Sequence, residues 1–210
     1  MTGVRIPYHK TNLESLLLAT AEGLIADGGL SALSLRELGR EAGVSRTAPY
    51  HYFADKAALV SKVGASSFAR LADRIDAALV TANDLESRCL AGLRAYVGFA
   101  LDEPHLFRLM FSDVLIRHTL MHDATMATPV AFRNDSAMRA FRGFAEGISR
   151  AQAAGELAAE DPLLIVQMLW AYAHGVAELA LGDKITLVGS VDDLLESGLK
   201  ALLDRYRPAD

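Results

Sequence analysis

The stretch from Val44 to Ala54 concentrates side chains that can contact an anion. It reads VSRTAPYHYFA and contains no carboxylate, while it offers one guanidinium, two hydroxyls, one imidazole and two phenols. These groups donate hydrogen bonds to phosphate oxygens, and arginine also pairs with the edge of guanine. The residue types therefore indicate a surface that tolerates anions, nucleic acid among them.

The elements that would position these side chains are predicted to be short helices joined by a tight turn. Ser34 stands three residues before Glu37, as in a capping box at the start of a helix, and Gly43 is suited to end that helix. Ser45 is a second N-cap, so another helix is expected to run to about Phe53. Two short helices around a glycine turn are typical of a helix-turn-helix motif.

In such a motif the second helix enters the major groove with its first residues against base edges. Arg46 suits guanine, Thr47 a base or a phosphate, and a slim apolar side chain suits a thymine methyl. Helix N-termini also present free amides to phosphate. The predicted contacts are Arg46, Thr47, Ala48 and Pro49 at base edges, Tyr50 and His51 at phosphates or base edges, and Ser34, Ser45 and Lys56 at phosphates.

Two residues break local rules on this predicted surface. Pro49 lies about four positions into the expected helix, where it removes a backbone donor, and Lys56 opens the following helix against its dipole. A docked phosphate would reverse the second penalty. The competing interpretation is that the aromatic residues are core residues of a packed helix; we favour it for Phe53 and favour DNA contact for Tyr50 and His51.

Helical periodicity continues along the rest of the chain. A first helix is expected from Leu13 to Gly28-Gly29, and Asp55 caps a long helix from Lys56. Its apolar stripe consists of Leu59, Val63, Phe68, Leu71, Ile75 and Leu79. Further helices are predicted at about Asp84 to Leu101, Pro104 to Phe111, Pro129 to Ala154, Pro162 to Leu181 and Val191 to Tyr206. The prediction is an all-α chain with a three-helix helix-turn-helix domain at 1–56 and a helical domain at 57–210.

Composition excludes several classes of protein. With 210 residues, 51% hydrophobic residues and a formal charge of −5, the chain can bury a core and is neither disordered nor generally polycationic. The single cysteine, Cys89, can form neither an internal disulfide nor a thiolate metal site. The apolar run at Leu16–Ala21 is too short for a signal sequence, and the segment Leu163–Leu181 carries Glu178. We expect a cytoplasmic protein without a membrane span.

At the helix-turn-helix segment the sequence resembles the TetR family of bacterial transcriptional regulators. The resemblance covers roughly Asn12 to Val63 and rests on Tyr50-His51-Tyr52-Phe53 with Lys56, on Ser34-Leu35-Arg36-Glu37-Leu38 and on Gly43-Val44-Ser45. Tyr52 stands where the family commonly has His. The resemblance adds Arg36 and Tyr52 to the predicted DNA contacts.

The second half of the chain looks like one TetR subgroup, in which a Trp is followed by His-Gly, here Trp170 and His174-Gly175. The segments 99–104 and 106–111 are similar to the middle helices of that subgroup. The resemblance implies a helical regulatory domain, a homodimer formed through the last two helices, and a cavity whose ligand changes DNA affinity.

Physical reasoning supports a partner, because the helix at 162–181 is apolar nearly all round and needs cover from two directions. A self-contained monomer core is the alternative. The candidate ligand contacts for a small apolar effector are Phe99, Phe107, Met110, Phe111, Met121, Met126, Phe141, Trp170 and His174. Apolar residues at helical spacing are more often structural than ligand-binding, so the core is the favoured interpretation for most of them. For His174 the alternative is a buried histidine with satisfied hydrogen bonds.

Other chemistry has little support. His118 and His122 have metal-ligand spacing but lack a firm third ligand, so neither a metal nor a cofactor is predicted. Phosphate-binding, dinucleotide and nucleophile-elbow motifs are absent, which argues against an enzyme. The interpretation is a regulator, most simply a repressor, that leaves a palindromic double-stranded DNA operator when a ligand binds. The alternative is an all-α ligand carrier or enzyme without sequence-specific DNA binding.

Overall fold

The computed structural model describes residues 10–115, 135–182 and 189–208, and every regular element in those ranges is helical. The principal α-helices are α1 (Lys10–Ala32), α2 (Leu35–Glu41), α3 (Lys56–Leu79), α4 (Leu85–Asp102), α5 (Pro104–Met110), α6 (Asp135–Ala153), α7 (Pro162–Leu181) and α8 (Val191–Asp204). A 3-10 helix, Ala48–His51, lies between α2 and α3. The predicted all-α fold is confirmed.

Packing divides the chain into two compact units. The first unit takes the described residues up to Ser66 together with those from His105 to 115, and the second takes Ser67–Pro104 and the described residues after 134. The predicted boundary after residue 56 lies ten residues earlier than the division inside α3. Sequence periodicity gave no sign that α5 packs with the helix-turn-helix segment.

The core of the first unit is drawn from α1, α2, α3 and α5. Its buried side chains are Leu17, Ala21 and Ile25 of α1, Leu35 and Leu38 of α2, Leu59, Val60 and Val63 of α3, Leu106 and Leu109 of α5, and Leu33 and Phe53 between helices. Burying one large side chain of this kind contributes roughly 1.5–3 kcal/mol. Phe53 is 1% exposed, which confirms its interpretation as a core residue.

Glycines with positive φ mark two turns beside this core. The regular geometry of α1 breaks at Gly29, with φ of 67° and ψ of −172°, and Gly43 after α2 also has φ of 67°. L-residues with a Cβ rarely adopt this conformation, whereas glycine adopts it freely. The predicted stop at Gly43 is confirmed, whereas the stop predicted at Gly28-Gly29 is a break in helical geometry inside α1, which extends to Ala32.

The second unit is a bundle in which α4 packs against α7 and α8, and α7 also packs against α6. One close approach depends on a glycine: a Cβ at Gly198 of α8 would lie 2.2 Å from the hydroxyl oxygen of Tyr172. That hydroxyl donates a hydrogen bond to the carbonyl of Leu194. The exposed Arg94 of α4 pairs with Asp192 and Glu196 of α8.

Most predicted helix ends agree with the structure. Asp84 caps α4 by accepting a 2.8 Å hydrogen bond from the amide of Ser87. The helix predicted at Pro162 to Leu181 has those bounds, while α8 ends at Asp204, two residues before the predicted Tyr206. The apolar stripe predicted along α3 is buried throughout. Residues 129–134, predicted to open α6, lie outside the described residues.

By length and composition, α7 would suit a membrane span, and it is the one helix among the described residues that does. Only a third of its most apolar stretch is buried within a single chain. A helix that serves as core or interface in a water-soluble protein has the same composition. These features do not test whether α7 spans a membrane, so the absence of a membrane span stays a prediction.

Candidate nucleic-acid interface

The segment after α2 turns back on that helix before it reaches the 3-10 helix. The amide of Val44 donates to the carbonyl of Gly39 at 3.0 Å, which closes the turn at Gly43. The chain then forms overlapping turns, with the amide of Tyr50 donating to the carbonyl of Thr47 at 3.2 Å. The helix expected from Ser45 to about Phe53 is shorter than predicted, because only the four residues Ala48–His51 are helical there, and they form a 3-10 helix.

The position of Pro49 explains this difference. It occupies the first turn of the 3-10 helix, where a missing amide proton costs nothing. The segment before it is made of turns, so the proline interrupts no α-helix. Because the 3-10 helix begins at Ala48, Pro49 does not lie in a helix interior, and the conflict expected from the sequence is absent.

Most of the predicted DNA contacts are exposed. Exposed side chains are those of Ser34, Arg36, Ser45, Arg46, Thr47, Tyr50, His51 and Lys56, whereas Ala48 and Tyr52 are half-buried. We call these eight exposed residues the recognition surface. The hydroxyls of Ser45 and Thr47 lie 3.2 Å apart, within hydrogen-bonding distance. Among the described residues, Arg46 forms no ion pair, so its guanidinium can pair with an external acceptor.

Two predicted contacts have structural positions instead. Pro49 is buried, and its ring lies against Gly39, where a Cβ would be 3.4 Å from Cγ of the proline. A buried ring cannot touch a thymine methyl, so the prediction of a base contact at Pro49 is corrected. Tyr52 packs against the core of the first unit, with its ring centroid 6.4 Å from that of Phe53.

Arg40 pairs with both carboxylates of α2, a role that the sequence did not suggest. Its Nε donates to Glu37 at 3.0 Å, and its Nη2 donates to Glu41 at 3.0 Å. The hydrogen bond from Arg40 lowers the pKa of the Glu37 carboxyl. Ser34 still caps α2 by accepting from the amide of Glu37, so only half of the predicted capping box is present. The spacing of Glu37 and Arg40 was the signal that could have shown this pair.

Lys56 has a partner within the protein. Its Nζ donates to the carbonyl of Leu30 at 2.8 Å and so ties the start of α3 to the end of α1. Asp55 caps α3 as expected, accepting from the amide of Ala58 at 2.8 Å. The bond to Leu30 accounts for a cation at an unfavourable helix end without DNA. Lys56 nevertheless remains exposed.

The candidate ligand contacts of the first unit are packed. Phe107 and Met110 are buried, and the ring of Phe111 meets that of Phe107 edge-on at 5.2 Å. Met121 and Met126 lie outside the described residues, as do the possible metal ligands His118 and His122. Among the residues that are described, no cluster of His, Cys, Asp and Glu could hold a metal.

The candidates of the second unit form a polar aromatic cluster. Nε1 of Trp170 donates to the hydroxyl of Tyr96 at 3.1 Å, and this hydroxyl lies 2.9 Å from Nδ1 of His174. Phe141 meets the ring of Trp170 edge-on at 5.7 Å. Phe99 is buried under the guanidinium of Arg70, which is 6.0 Å from the ring centroid. We call Tyr96, Phe141, Trp170 and His174 the aromatic cluster.

Tyr96 was absent from the predicted set because a tyrosine on the apolar face of a helix gives no sign of its partner. Burial raises the pKa of Tyr96, so its hydroxyl stays neutral. Burial also lowers the pKa of His174, with Glu178 acting in the opposite direction. Since Trp170 donates to the Tyr96 oxygen, the Tyr96 proton is available to a neutral His174.

Other reactive or concave features of the second unit do not involve the predicted residues. Two open grooves have volumes of about 300 and 290 Å³, and both are lined largely by charged side chains such as Glu86, with no member of the aromatic cluster among them. Burial raises the pKa of the Cys89 thiol to about 12, which leaves it without nucleophilic thiolate at neutral pH.

Comparison with known proteins identifies the family from both halves of the chain. The model of bacterial regulatory proteins of the tetR family matches residues 17–63, which include the whole recognition surface. The model of the tetracyclin repressor-like C-terminal domain matches residues 89–202, more than half of the chain. The chain belongs to the TetR family. By family it is therefore a DNA-binding transcriptional regulator.

Solved structures share this fold. A protein of unknown function from Rhodococcus sp. RHA1 is 31% identical, with a TM-score of 0.78 over 97% of this chain and 100% of the other. A tetR-family regulatory protein from Rhodococcus RHA1 has 17% identity and a TM-score of 0.66 over 97% and 100% of the two chains. The fatty acid degradation regulator FadR from Bacillus halodurans has 17% identity and a TM-score of 0.69 over 95% and 100%. No curated protein sequence matches significantly.

Proposed function

We propose that this TetR-family protein is a cytoplasmic homodimeric repressor that binds a palindromic operator and leaves it when a small, largely apolar ligand binds. The observation that carries the proposal is the recognition surface. Arg46 and Thr47 are exposed at the turn before the 3-10 helix, in a segment without carboxylates, and Arg40 pairs with the nearby Glu37 and Glu41.

Each part of the recognition surface has a separate role in this proposal. Arg46 and Thr47 read base edges in the major groove, since guanidinium and hydroxyl groups match donor and acceptor patterns there. Ser34, Arg36, Ser45 and Lys56 hold phosphates and fix the register, while Tyr50 and His51 contact phosphates or base edges. Tyr52, being half-buried, positions the segment and reaches DNA only with its phenolic end.

Features of α7 support a dimer. Leu163, Leu164 and Leu179 are 41–43% exposed, although they are large and apolar. Ala171 and Gly175 are also exposed and share a face of the helix with Leu164 and Leu179. A face of this kind is suited to a close approach by a second helix. Two copies joined there would present two recognition surfaces to successive major grooves of a palindrome.

The aromatic cluster is the proposed ligand-responsive part of the second unit. It combines an apolar wall from Phe141 and Trp170 with hydrogen-bonding groups from Tyr96 and His174. A ligand that binds more tightly to the dimer state whose recognition surfaces are mis-spaced for DNA shifts the population toward that state. Operator affinity then falls by the ratio of the ligand's affinities for the two states. A ligand that tightens DNA binding would contradict this sign of regulation.

The first experiment is a binding selection from random duplex DNA with the purified protein at near-physiological salt, followed by sequencing of the bound fraction. We expect an enriched palindrome with half-sites about one helical turn apart. The matched control is the variant Arg46→Ala, Thr47→Ala, which should lose the enrichment while remaining folded. A folded dimer freed of ligand that enriches no sequence would favour the alternative, a ligand carrier without specific DNA binding.

A further inference from the structure

Two hydroxyls of the recognition surface lie side by side and face solvent. The hydroxyl oxygens of Ser45 and Thr47 are 3.2 Å apart, and either one can donate a hydrogen bond to the other. Both side chains are exposed, one on each side of Arg46 in the sequence. Thr47 occupies the N-cap of the 3-10 helix, yet its side chain caps no amide there. Among the described residues neither hydroxyl has another partner, so the pair is available to a ligand.

The backbone that carries this hydroxyl pair is packed closely against α2. A Cβ added at Gly39 would lie 3.1 Å from the carbonyl oxygen of Ser45 and 3.5 Å from Cα of Arg46. The same carbonyl accepts a hydrogen bond from the amide of Ala48 at 3.0 Å. The buried ring of Pro49 also rests on Gly39. Packing and hydrogen bonding therefore hold the backbone on both sides of the pair in place.

Two hydroxyls joined by one hydrogen bond present a defined pattern of donors and acceptors. Each hydroxyl has one proton and two lone pairs. One of the two protons is used within the pair, so one O–H donor remains for an external acceptor. The oxygen that donates within the pair keeps its lone pairs for an external donor. The pair therefore offers one donor beside one acceptor, whichever of Ser45 and Thr47 donates to the other.

The major-groove edge of adenine has the complementary pattern. Adenine presents N7 as an acceptor beside the N6 amino group as a donor, whereas guanine presents two acceptors, N7 and O6. A contact with both acceptors of guanine would require two donors and would break the hydrogen bond between the hydroxyls. Each pyrimidine offers a single polar group in this groove. The guanidinium of Arg46 has donors alone, so it suits guanine.

We infer that Ser45 and Thr47 act as one reading unit that recognises an adenine in each half of the operator, while Arg46 recognises a guanine. Ser45 thereby positions the hydroxyl of Thr47 and contributes to base specificity. The phosphate contact proposed for Ser45 involves its main-chain amide, so the two roles are compatible. This inference rests on the proposed function and names the bases that the recognition surface reads.

The first test changes single atoms of the DNA and leaves the protein unchanged. The full-length protein is titrated with the labelled duplex recovered in the selection, and fluorescence anisotropy measures affinity. One adenine at a time is replaced by 7-deazaadenine, which lacks N7, or by N6-methyladenine, which lacks the amino proton that faces the groove. At one adenine of each half-site we expect either analogue to lower affinity about fivefold, because one of two hydrogen bonds is lost. The same analogues outside the half-sites are the control and should have little effect.

The second test changes the hydroxyl pair and measures the preference for adenine over guanine at the same position. The wild type should prefer adenine about tenfold, and Ser45→Ala or Thr47→Val should each reduce this preference to within about twofold, since a lone hydroxyl can donate to either purine. The double variant Ser45→Ala, Thr47→Val should lose little further preference, because either single change already removes the pair. The matched control is Ser34→Ala, which removes an exposed hydroxyl that caps α2 and should keep the adenine preference.

Three results would overturn the reading unit while leaving sequence-specific DNA binding intact. The first is a half-site in which neither analogue weakens binding at any adenine. The second is an equal loss of affinity for all sequences in Ser45→Ala, which would assign the pair to a phosphate. The third is an equal loss of adenine preference in Ser34→Ala.

Failure of the proposed function has a different outcome. If the wild type enriches no sequence in the selection, that function fails and the reading unit fails with it. If Ser45→Ala or Thr47→Val does not fold by circular dichroism, the analogue titrations of the wild type decide alone.

Discussion

Arg46 and Lys56 carry the same charge on the recognition surface, yet they should contribute to DNA binding in different ways. Arg46→Ala removes a base-reading group, so we expect a loss of about 1–3 kcal/mol that is confined to certain base pairs. Lys56→Ala should weaken binding to all duplexes alike and reduce the salt slope by about one. Binding of a panel of single-base operator variants at several salt concentrations measures both.

Lys56 also has a structural contact, because its Nζ donates a hydrogen bond to the carbonyl of Leu30. The loss of that bond could weaken the protein as well as the complex. Thermal unfolding of Lys56→Ala separates the two effects, and Lys56→Arg retains a cation for phosphate. Uniform loss of affinity in Arg46→Ala across all base pairs would remove Arg46 from the base readers.

His174 gives the second unit a pH-dependent stability. Burial lowers its pKa in the folded state, so below about pH 6.5 the unfolded chain binds more protons than the folded chain. The free energy of unfolding should therefore fall as the pH drops below that value. Above that value the contribution of the neutral His174 to stability should be fully present. Protonation at Nδ1 would also compete with the hydrogen bond from Tyr96.

The substitution His174→Gln tests this directly, because the amide oxygen of glutamine can still accept from Tyr96 while the titration is lost. Denaturant unfolding between pH 5 and 8 should show a flatter slope in the variant. The matched control, His51→Gln, changes an exposed histidine of the first unit and should leave the slope as it is. An unchanged slope in His174→Gln would show that other groups govern acid stability.

Among the helices and turns, two glycines have equally open surroundings but differ in backbone conformation, so substitutions there measure backbone strain without crowding. Neither Gly23 in α1 nor Gly43 after α2 has an atom within 4 Å of an added Cβ, but only Gly43 has a positive φ, of 67°. Gly23→Ala should stabilise the protein by up to about 1 kcal/mol through helix propensity. Gly43→Ala should destabilise it by about 1–2 kcal/mol, since the left-handed conformation is strained for any residue with a Cβ.

Urea unfolding of both variants measures these opposite signs. Equal stability of the two variants would mean that the turn relaxes out of the left-handed region. Such relaxation would also move Ser45 and Arg46, so duplex affinity of Gly43→Ala provides a second measurement.

Helix limits were predictable from sequence wherever a capping side chain or a proline marks them. Asp84, Asp161 and Ser190 all accept a hydrogen bond from an amide in the first turn of the next helix. The recognition segment was not predictable in the same way. Ser45 is as good a cap as Ser34, but Pro49 favours turns before it, and local capping rules do not decide between an α-helix and a 3-10 turn.

Long-range partners were the part of the candidate site that sequence could not supply. The exposure of Arg46 and the burial of Phe53 follow from residue type, because charged groups stay in water and large aromatic groups pack. The bonds of Tyr96 to Trp170 and of Lys56 to Leu30 join residues 74 and 26 positions apart. The residue periodicity of a single helix cannot predict hydrogen bonds between such distant residues.

At the scale of the whole molecule, charge alone does not account for DNA binding. The formal charge is −5, with six basic and six acidic residues in 1–56. The general field of the protein therefore opposes a polyanion, and affinity must come from a local surface where acids are absent or paired with Arg40. In the proposed dimer, two such surfaces would double the number of phosphate contacts, so we expect tight binding to require the dimer.

The exposed face of α7 makes that requirement testable at Gly175. Gly175 is exposed and nothing lies within 4 Å of a Cβ at this position, so the side chain of Gly175→Leu starts in open space on a single chain. In a dimer joined through α7, the same side chain would overpack the interface and weaken association roughly tenfold or more. Sedimentation velocity over a concentration series measures the change. Gly23→Leu is the matched control, since Gly23 is also an exposed helical glycine with open space. A Gly175→Leu protein that dimerises and binds the palindrome as the wild type does would show that the dimer forms elsewhere, and the exposed leucines of α7 would then need a different partner.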